Sequence, residues 1–117
     1  MERLDKVVAS YDKALEFKPD FEEAWTNRGN ALYHLGYLEA AIASYDQALT
    51  LKPNSPNTLY NKACCYALQG NLDQAIENLQ RAVELSPDEY REIAKTNSDF
   101  DGLRQDKRFS ALINRKA

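Results

Sequence analysis

The sequence has little of what most active sites are built from. It holds one histidine, His34, and two cysteines, Cys64 and Cys65, placed side by side. A lone imidazole can neither assemble a metal cluster nor act with an orienting partner in a triad. Adjacent cysteines clip no loop and form no CxxC pair. No phosphate-binding glycine loop, nucleophile motif or metal-ligand spacing stands out, so no catalysis, no cofactor and no metal is expected. Long apolar runs are also missing: the longest, residues 63–68, is far short of the ~20 residues a bilayer span needs. The start, Met1-Glu2-Arg3-Leu4-Asp5-Lys6, has the layout of neither a signal nor a transit peptide. Together with the adjacent thiols this gives a cytoplasmic, reducing location as the expectation. A basic excess is absent too. Fifteen Lys plus Arg against 18 Asp plus Glu leave a net charge of -3 and a pI near 5.2, which argues against nucleic acid or an anionic membrane as partner.

What is present is an ordinary globular composition, 44% hydrophobic and 28% charged over 117 residues. A chain of this length forms one domain and buries roughly two-thirds of its unfolded surface. The scarce prolines are ordered: shifting the chain by 34 residues superposes Pro19, Pro53 and Pro87. The same shift matches Asn27 with Asn61, Gly36 with Gly70, Leu38 with Leu72, Ala41 with Ala75, Ile42 with Ile76, Ala48 with Ala82 and Leu51 with Leu85. Residues 10–15, Ser-Tyr-Asp-Lys-Ala-Leu, recur as residues 44–49, Ser-Tyr-Asp-Gln-Ala-Leu. A fixed period of this size marks a repeat architecture, and here the chain opens on the second half of a unit.

Within residues 22–55 the apolar positions fall at threes and fours on both sides of Gly36. That pattern predicts two antiparallel helices with a glycine turn, stopped by Pro53. Asp20 with Glu23, Ser55 before Pro56, and Ser86 with Pro87 and Glu89 carry the pattern of helix starts. The expected organisation is half a unit over residues 1–21, full units over 22–55 and 56–89, and a cap over 90–117. In that cap Tyr90 onward opens a helix, Asn97-Ser98-Asp99 interrupts it, and Phe100, Leu103, Phe109, Leu112 and Ile113 suit one or two short closing helices.

These residues resemble the tetratricopeptide repeat family. The family's aromatic near the start of the first helix falls on Trp25, its small residue on Gly29 and Ala63, and its large residue on Leu32 and Tyr66. The alanine, aromatic, alanine, proline series of the second helix falls on Ala41, Tyr45, Ala48 and Pro53, on Val7, Tyr11, Ala14 and Pro19, and, with the aromatic replaced, on Ala75, Leu79, Ala82 and Pro87. The resemblance implies an all-α fold, a right-handed solenoid of antiparallel helix pairs, closed by a C-terminal capping helix. It also implies a non-catalytic scaffold whose first helices line a concave face that binds a peptide or partner helix.

On that face the first full unit would present Glu23, Thr26, Asn27, Asn30, Tyr33 and His34, and the second Asn57, Tyr60, Asn61, Cys64 and Leu68. Asparagines there could hold a peptide backbone or, as readily, bridge neighbouring helices. The family's carboxylate clamp, which holds acidic C-termini, has a partial counterpart. Asn30 and Asn61 take its asparagine positions, Thr26 stands where a lysine belongs, and Arg91 and Lys95 stand where basic residues are expected. The competing reading pairs Arg91 and Lys95 with Asp88 or Glu92. Finally, a second helix without its own first helix would leave Val8, Tyr11 and Leu15 uncovered on one side, which raises homodimerisation through the N-terminal helix as the alternative function.

Overall fold

The computed structural model describes residues 2–114. They form α1 (Glu2–Phe17), α2 (Glu22–Leu35), α3 (Leu38–Leu51), α4 (Pro56–Leu68), α5 (Leu72–Leu85), α6 (Pro87–Thr96), a 3₁₀ turn (Ser98–Leu103) and α7 (Lys107–Asn114). No strand occurs among the described residues. Each helix packs chiefly on its neighbour in sequence, from α1 on α2 through to α6 on α7, and the 3₁₀ turn folds back onto α4. This serial packing is an α-solenoid. Position 1 of the expected half unit and residues 115–117 of the expected cap lie outside the described residues.

The two hairpin turns have one cause. Gly36 and Gly70 sit at φ +86° and +79°, where a side chain is strained. The turn then closes the helix end, with Gly36 N–H on Tyr33 O at 3.0 Å and Tyr37 N–H on Leu32 O at 2.9 Å. Asn71 N–H on Tyr66 O at 2.9 Å repeats the arrangement one unit later. The helix starts differ in part from expectation. Phe21, not Asp20, occupies the N-cap of α2 and offers no side-chain acceptor. Ser55 and Ser86 do cap α4 and α6 by position, each followed by proline, but neither hydroxyl accepts from the backbone. Ser55 Oγ instead donates to Asn57 Oδ1 at 2.8 Å and Ser86 Oγ to Glu89 at 3.4 Å. Side-chain caps appear at Asn71, which accepts from Gln74 N–H, and at Asn97, which accepts from Asp99 N–H at 2.9 Å.

The core runs along the solenoid. Leu32, Ala41, Ile42, Tyr45 and Cys65 form one buried cluster. A second extends from Leu59 and Ala63 through Leu79 to Phe100, Leu103, Phe109 and Ile113. Phe100 is fully buried between Tyr60, at 5.7 Å between ring centroids, and Phe109, at 5.6 Å. The C-terminal segment thus covers the apolar side that a last repeat would otherwise expose, as a solenoid requires. Ion pairs add a periodic stitch: Asp12 meets Arg28 and, one period later, Asp46 meets Lys62, both at 2.6 Å. Each joins the second helix of one unit to the first helix of the next. Both acids are half exposed, so each pair contributes at most ~1 kcal/mol.

At Gly29, α2 and α3 approach closely. A Cβ on Gly29 would lie 2.5 Å from Tyr45 Cε1 and 2.7 Å from Cδ1, and the ring is fully buried. In the next unit the corresponding residues are Ala63 and Leu79, a larger residue facing a smaller one. Gly29→Ala is therefore expected to destabilise by about 1–2 kcal/mol, because overpacking exceeds the gain in helix propensity. Adding Tyr45→Leu, which recreates the second unit's pairing, should cost less than the sum of the two single changes. Urea midpoints of the three variants test this, and strict additivity would refute the steric coupling.

Candidate functional site

The α2–α4 side of the solenoid carries an open recess of about 290 Å³, lined by Asn30, Tyr33, His34, Tyr60, Asn61, Cys64 and Asn97. Six of these are residues expected on the concave face; Asn97 is not. Helical spacing places Asn30, Tyr33 and His34 on the last two turns of α2 and Tyr60, Asn61 and Cys64 on the middle of α4. Asn97 arrives from the interruption after α6, directed by the 3₁₀ turn that packs on α4.

The recess is polar but ordered by hydrogen bonds. Tyr45 reaches out of the core to donate its hydroxyl to Asn30 Oδ1 at 2.6 Å, and Asn61 Nδ2 donates to the same oxygen at 3.0 Å. Two donors on one oxygen fix the orientation of the Asn30 amide, so its Nδ2 is left to face elsewhere. Asn97 Nδ2 donates to Tyr60 Oη at 2.7 Å and lies 3.6 Å from Cys64 Sγ, while its backbone carbonyl accepts from Arg104 at 2.8 Å. Tyr33 donates its hydroxyl to Asp99. The His34 ring stands edge-on to Tyr33, 5.0 Å between centroids.

Several expected groove residues lie outside this lining. Thr26 is buried and donates to Glu22 Oε2 at 3.0 Å, with its hydroxyl 3.1 Å from that of Thr58, so it faces the α2–α4 contact and not the groove. Asn57 is held by Ser55, Asn27 is half buried, and Glu23 and Leu68 are exposed at the outer ends of their helices. The clamp's basic pair is absent from the recess. Arg91 Nε donates to Leu112 O at 3.2 Å, tying α6 to α7, and Lys95 pairs with Glu92 at 3.2 Å. The reason is the packing of α6: it lies on α5 and α7, and the 3₁₀ turn after it takes the place against α4 that a third groove helix would hold. On α1, Leu15 is buried and Val8 packs against the Leu32 cluster, so of the three self-association candidates only Tyr11 keeps a half-exposed side free of such a contact.

Sequence reasoning missed Asn97, Asp99 and the second role of Tyr45. Asn97 falls at the register position of Ala63, so the 34-residue period could not have found it. Its one signal was the Asn-Ser-Asp string, a local capping pattern. Burial decides the chemistry of the thiols. Desolvation, reinforced by the charge of Asp99, pushes Cys65 up to about 12 and Cys64 further. Desolvation likewise raises the hydroxyls of Tyr33, Tyr45 and Tyr60 above their usual value. None of these groups is activated as a nucleophile. Among the described residues no group of His, Cys, Asp or Glu could hold a metal, and no helix is long and apolar enough to cross a membrane.

Comparison with known proteins agrees with the geometry. A family profile described as tetratricopeptide repeat matches residues 20–88, and a second, TPR repeat, matches residues 1–36. No curated protein matches. Among solved structures, the crystal structure of MamA is similar at a TM-score of 0.70 and 21% identity, over 85% of this chain and 61% of that one. A MamA RS-1 ArsTM double mutant is similar at 0.72 and 19%, over 94% of this chain and 66% of that one. The chain therefore spans less than two thirds of either, and at these identities the likeness concerns the fold.

The raised groups make stability sensitive to alkali. Folded, the thiols and phenols stay protonated; unfolded, a thiol ionises near 9 and a phenol near 10. The unfolded state then binds fewer protons, so stability present below pH 9 is lost as pH climbs toward 12. Melting temperatures from pH 7 to 11 should fall steeply above about 9. In parallel, iodoacetamide at pH 8 should label Cys64 and Cys65 only once the protein is unfolded; rapid labelling of the folded chain would contradict the burial account.

Proposed function

The chain belongs to the tetratricopeptide repeat family, and from that membership we propose that it is a non-catalytic scaffold that holds an extended peptide or partner segment in the recess between α2 and α4. Its units run over residues 22–55 and 56–89, with a half unit at 1–21 and a cap at 90–117. The observation that carries the reading is the Asn30–Asn61 pair. Because Asn30 Oδ1 accepts from both Tyr45 and Asn61, Asn30 Nδ2 and Asn61 Oδ1 have no partner among the described residues. They offer one donor and one acceptor side by side, which is what a passing peptide unit requires. Each such bond contributes about 1 kcal/mol. The net charge of -3 fits a protein partner better than nucleic acid or an anionic membrane, and the two free, buried thiols fit a reducing cytoplasm.

A second reading is favoured by comparing α1 with α3 at equal register. Val7, Tyr11 and Ala14 are half buried, whereas their counterparts Ala41, Tyr45 and Ala48 are 0%, 0% and 1% exposed. That side of α1 has no helix against it among the described residues. A second copy laid on it would make self-assembly an activity of the chain.

Display of random peptides, selected on the protein, tests the first reading. Enriched peptides should bind Asn61→Ala, which keeps the Tyr45–Asn30 bond, at least about fivefold more weakly than the parent. Failure to enrich any peptide, or equal binding by the variant, would overturn it. Light scattering tests the second: a mass of twice 13.3 kDa that returns to the monomer value in Tyr11→Glu supports self-assembly, and a monomer at high concentration removes it.

A further inference from the structure

Beside the recess, on the hydroxyl of its lining residue Tyr33, stands one charge that no lysine or arginine answers. Asp99, at the start of the 3₁₀ turn, is half buried two residues from Asn97. Among the described side chains its partner is the Tyr33 hydroxyl, a neutral donor. The cations nearby in sequence are committed elsewhere. Arg104 donates to Asn97 O at 2.8 Å and Ala94 O at 3.4 Å and pairs with Asp101, Lys95 pairs with Glu92, and Arg91 is held by Leu112 O. No lysine or arginine lines the recess.

The charge is felt throughout the site. It contributes to raising Tyr33, Tyr60, Cys64 and Cys65, residues drawn from both walls. Beside it, Tyr33 and Tyr60 bring aromatic rings to the lining. A half-buried carboxylate without a counter-cation, flanked by aromatic rings, suits an ammonium or guanidinium group: the carboxylate accepts its N–H bonds and the ring faces attract its charge. An acidic segment would meet the opposite, repulsion at Asp99 with no lysine or arginine in the lining to offset it.

The geometry points to a basic peptide as the ligand of this groove, with a lysine or arginine side chain reaching Asp99 beside Tyr33 while the peptide backbone rests on Asn30 and Asn61. This rests on the groove reading above and adds the class of ligand. Asp99 specifies charge, and the asparagines hold the chain whatever its sequence.

Parallel selection of random displayed peptides on the parent and on Asp99→Asn tests it. The amide keeps an oxygen for the Tyr33 hydroxyl, and matching melting curves check that the variant is folded. The parent pool should be enriched about fivefold or more in lysine and arginine at one position, and the Asp99→Asn pool should lose that enrichment. Individual peptides from the parent pool should bind about fivefold more weakly when salt rises from about 50 to 500 mM, as a screened charge contact must. Peptide pools with equal basic content on both proteins, or an acidic parent pool, would overturn the basic-ligand inference and leave the groove reading standing. No enrichment on either protein would overturn both.

Discussion

One ring ties the interior of this protein to its surface. Tyr45 is fully buried, in a space that exists because position 29 carries no side chain, yet its hydroxyl binds Asn30 in the groove lining. The packing of α3 on α2 therefore sets the direction of an amide that faces solvent. Asn61 follows, since it donates to the same oxygen. A buried ring in a close-packed interior has little freedom, so the polar array it holds is positioned before any ligand arrives, which lowers the ordering cost of binding.

The fold was legible because repeats write it several times over. Period, phased prolines and turn glycines each predicted the helix pairs, and a small residue facing a large one predicted how they pack. The helix starts were less legible: Phe21 stands at the N-cap of α2, where Asp20 with Glu23 had the better local pattern, because packing of the following helix outweighs the fraction of a kcal/mol to about 2 kcal/mol a cap contributes. The groove was half legible. Asn30, Tyr33, His34, Tyr60, Asn61 and Cys64 share a face by helical spacing alone, and the structure brings them together. Thr26 shares that spacing but is taken into the α2–α4 contact by Thr58. Arg91 and Lys95 lie outside the recess lining for a different reason. Their placement assumed a third groove helix, but α6 packs on α5 and α7, and the wall beside α4 is formed by the 3₁₀ turn and Asn97.

The ion pairs show how a repeat can carry information that its apolar pattern does not. Asp12–Arg28 and Asp46–Lys62 recur at one period, but the next positions in the series are Gln80 and Thr96, which carry no charge. The stitch ends where α6 shortens, and aromatic packing of Phe100 and Phe109 takes over the closure. Two kinds of contact thus divide the solenoid: polar pairs between repeats that resemble each other, and an apolar plug where the resemblance stops.

A string of repeats that touch only their neighbours behaves as a one-dimensional system, free to fray from either end while its middle persists. The Tyr33–Asp99 bond breaks that independence, because it joins residues 66 positions apart, one on the first complete helix pair and one on the terminal turn. It acts as a clasp on an otherwise open band. Loosening of the C-terminal turn then removes a wall of the groove and frees the Tyr33 hydroxyl in one event, so the terminal segment and the groove share a single cooperative fate.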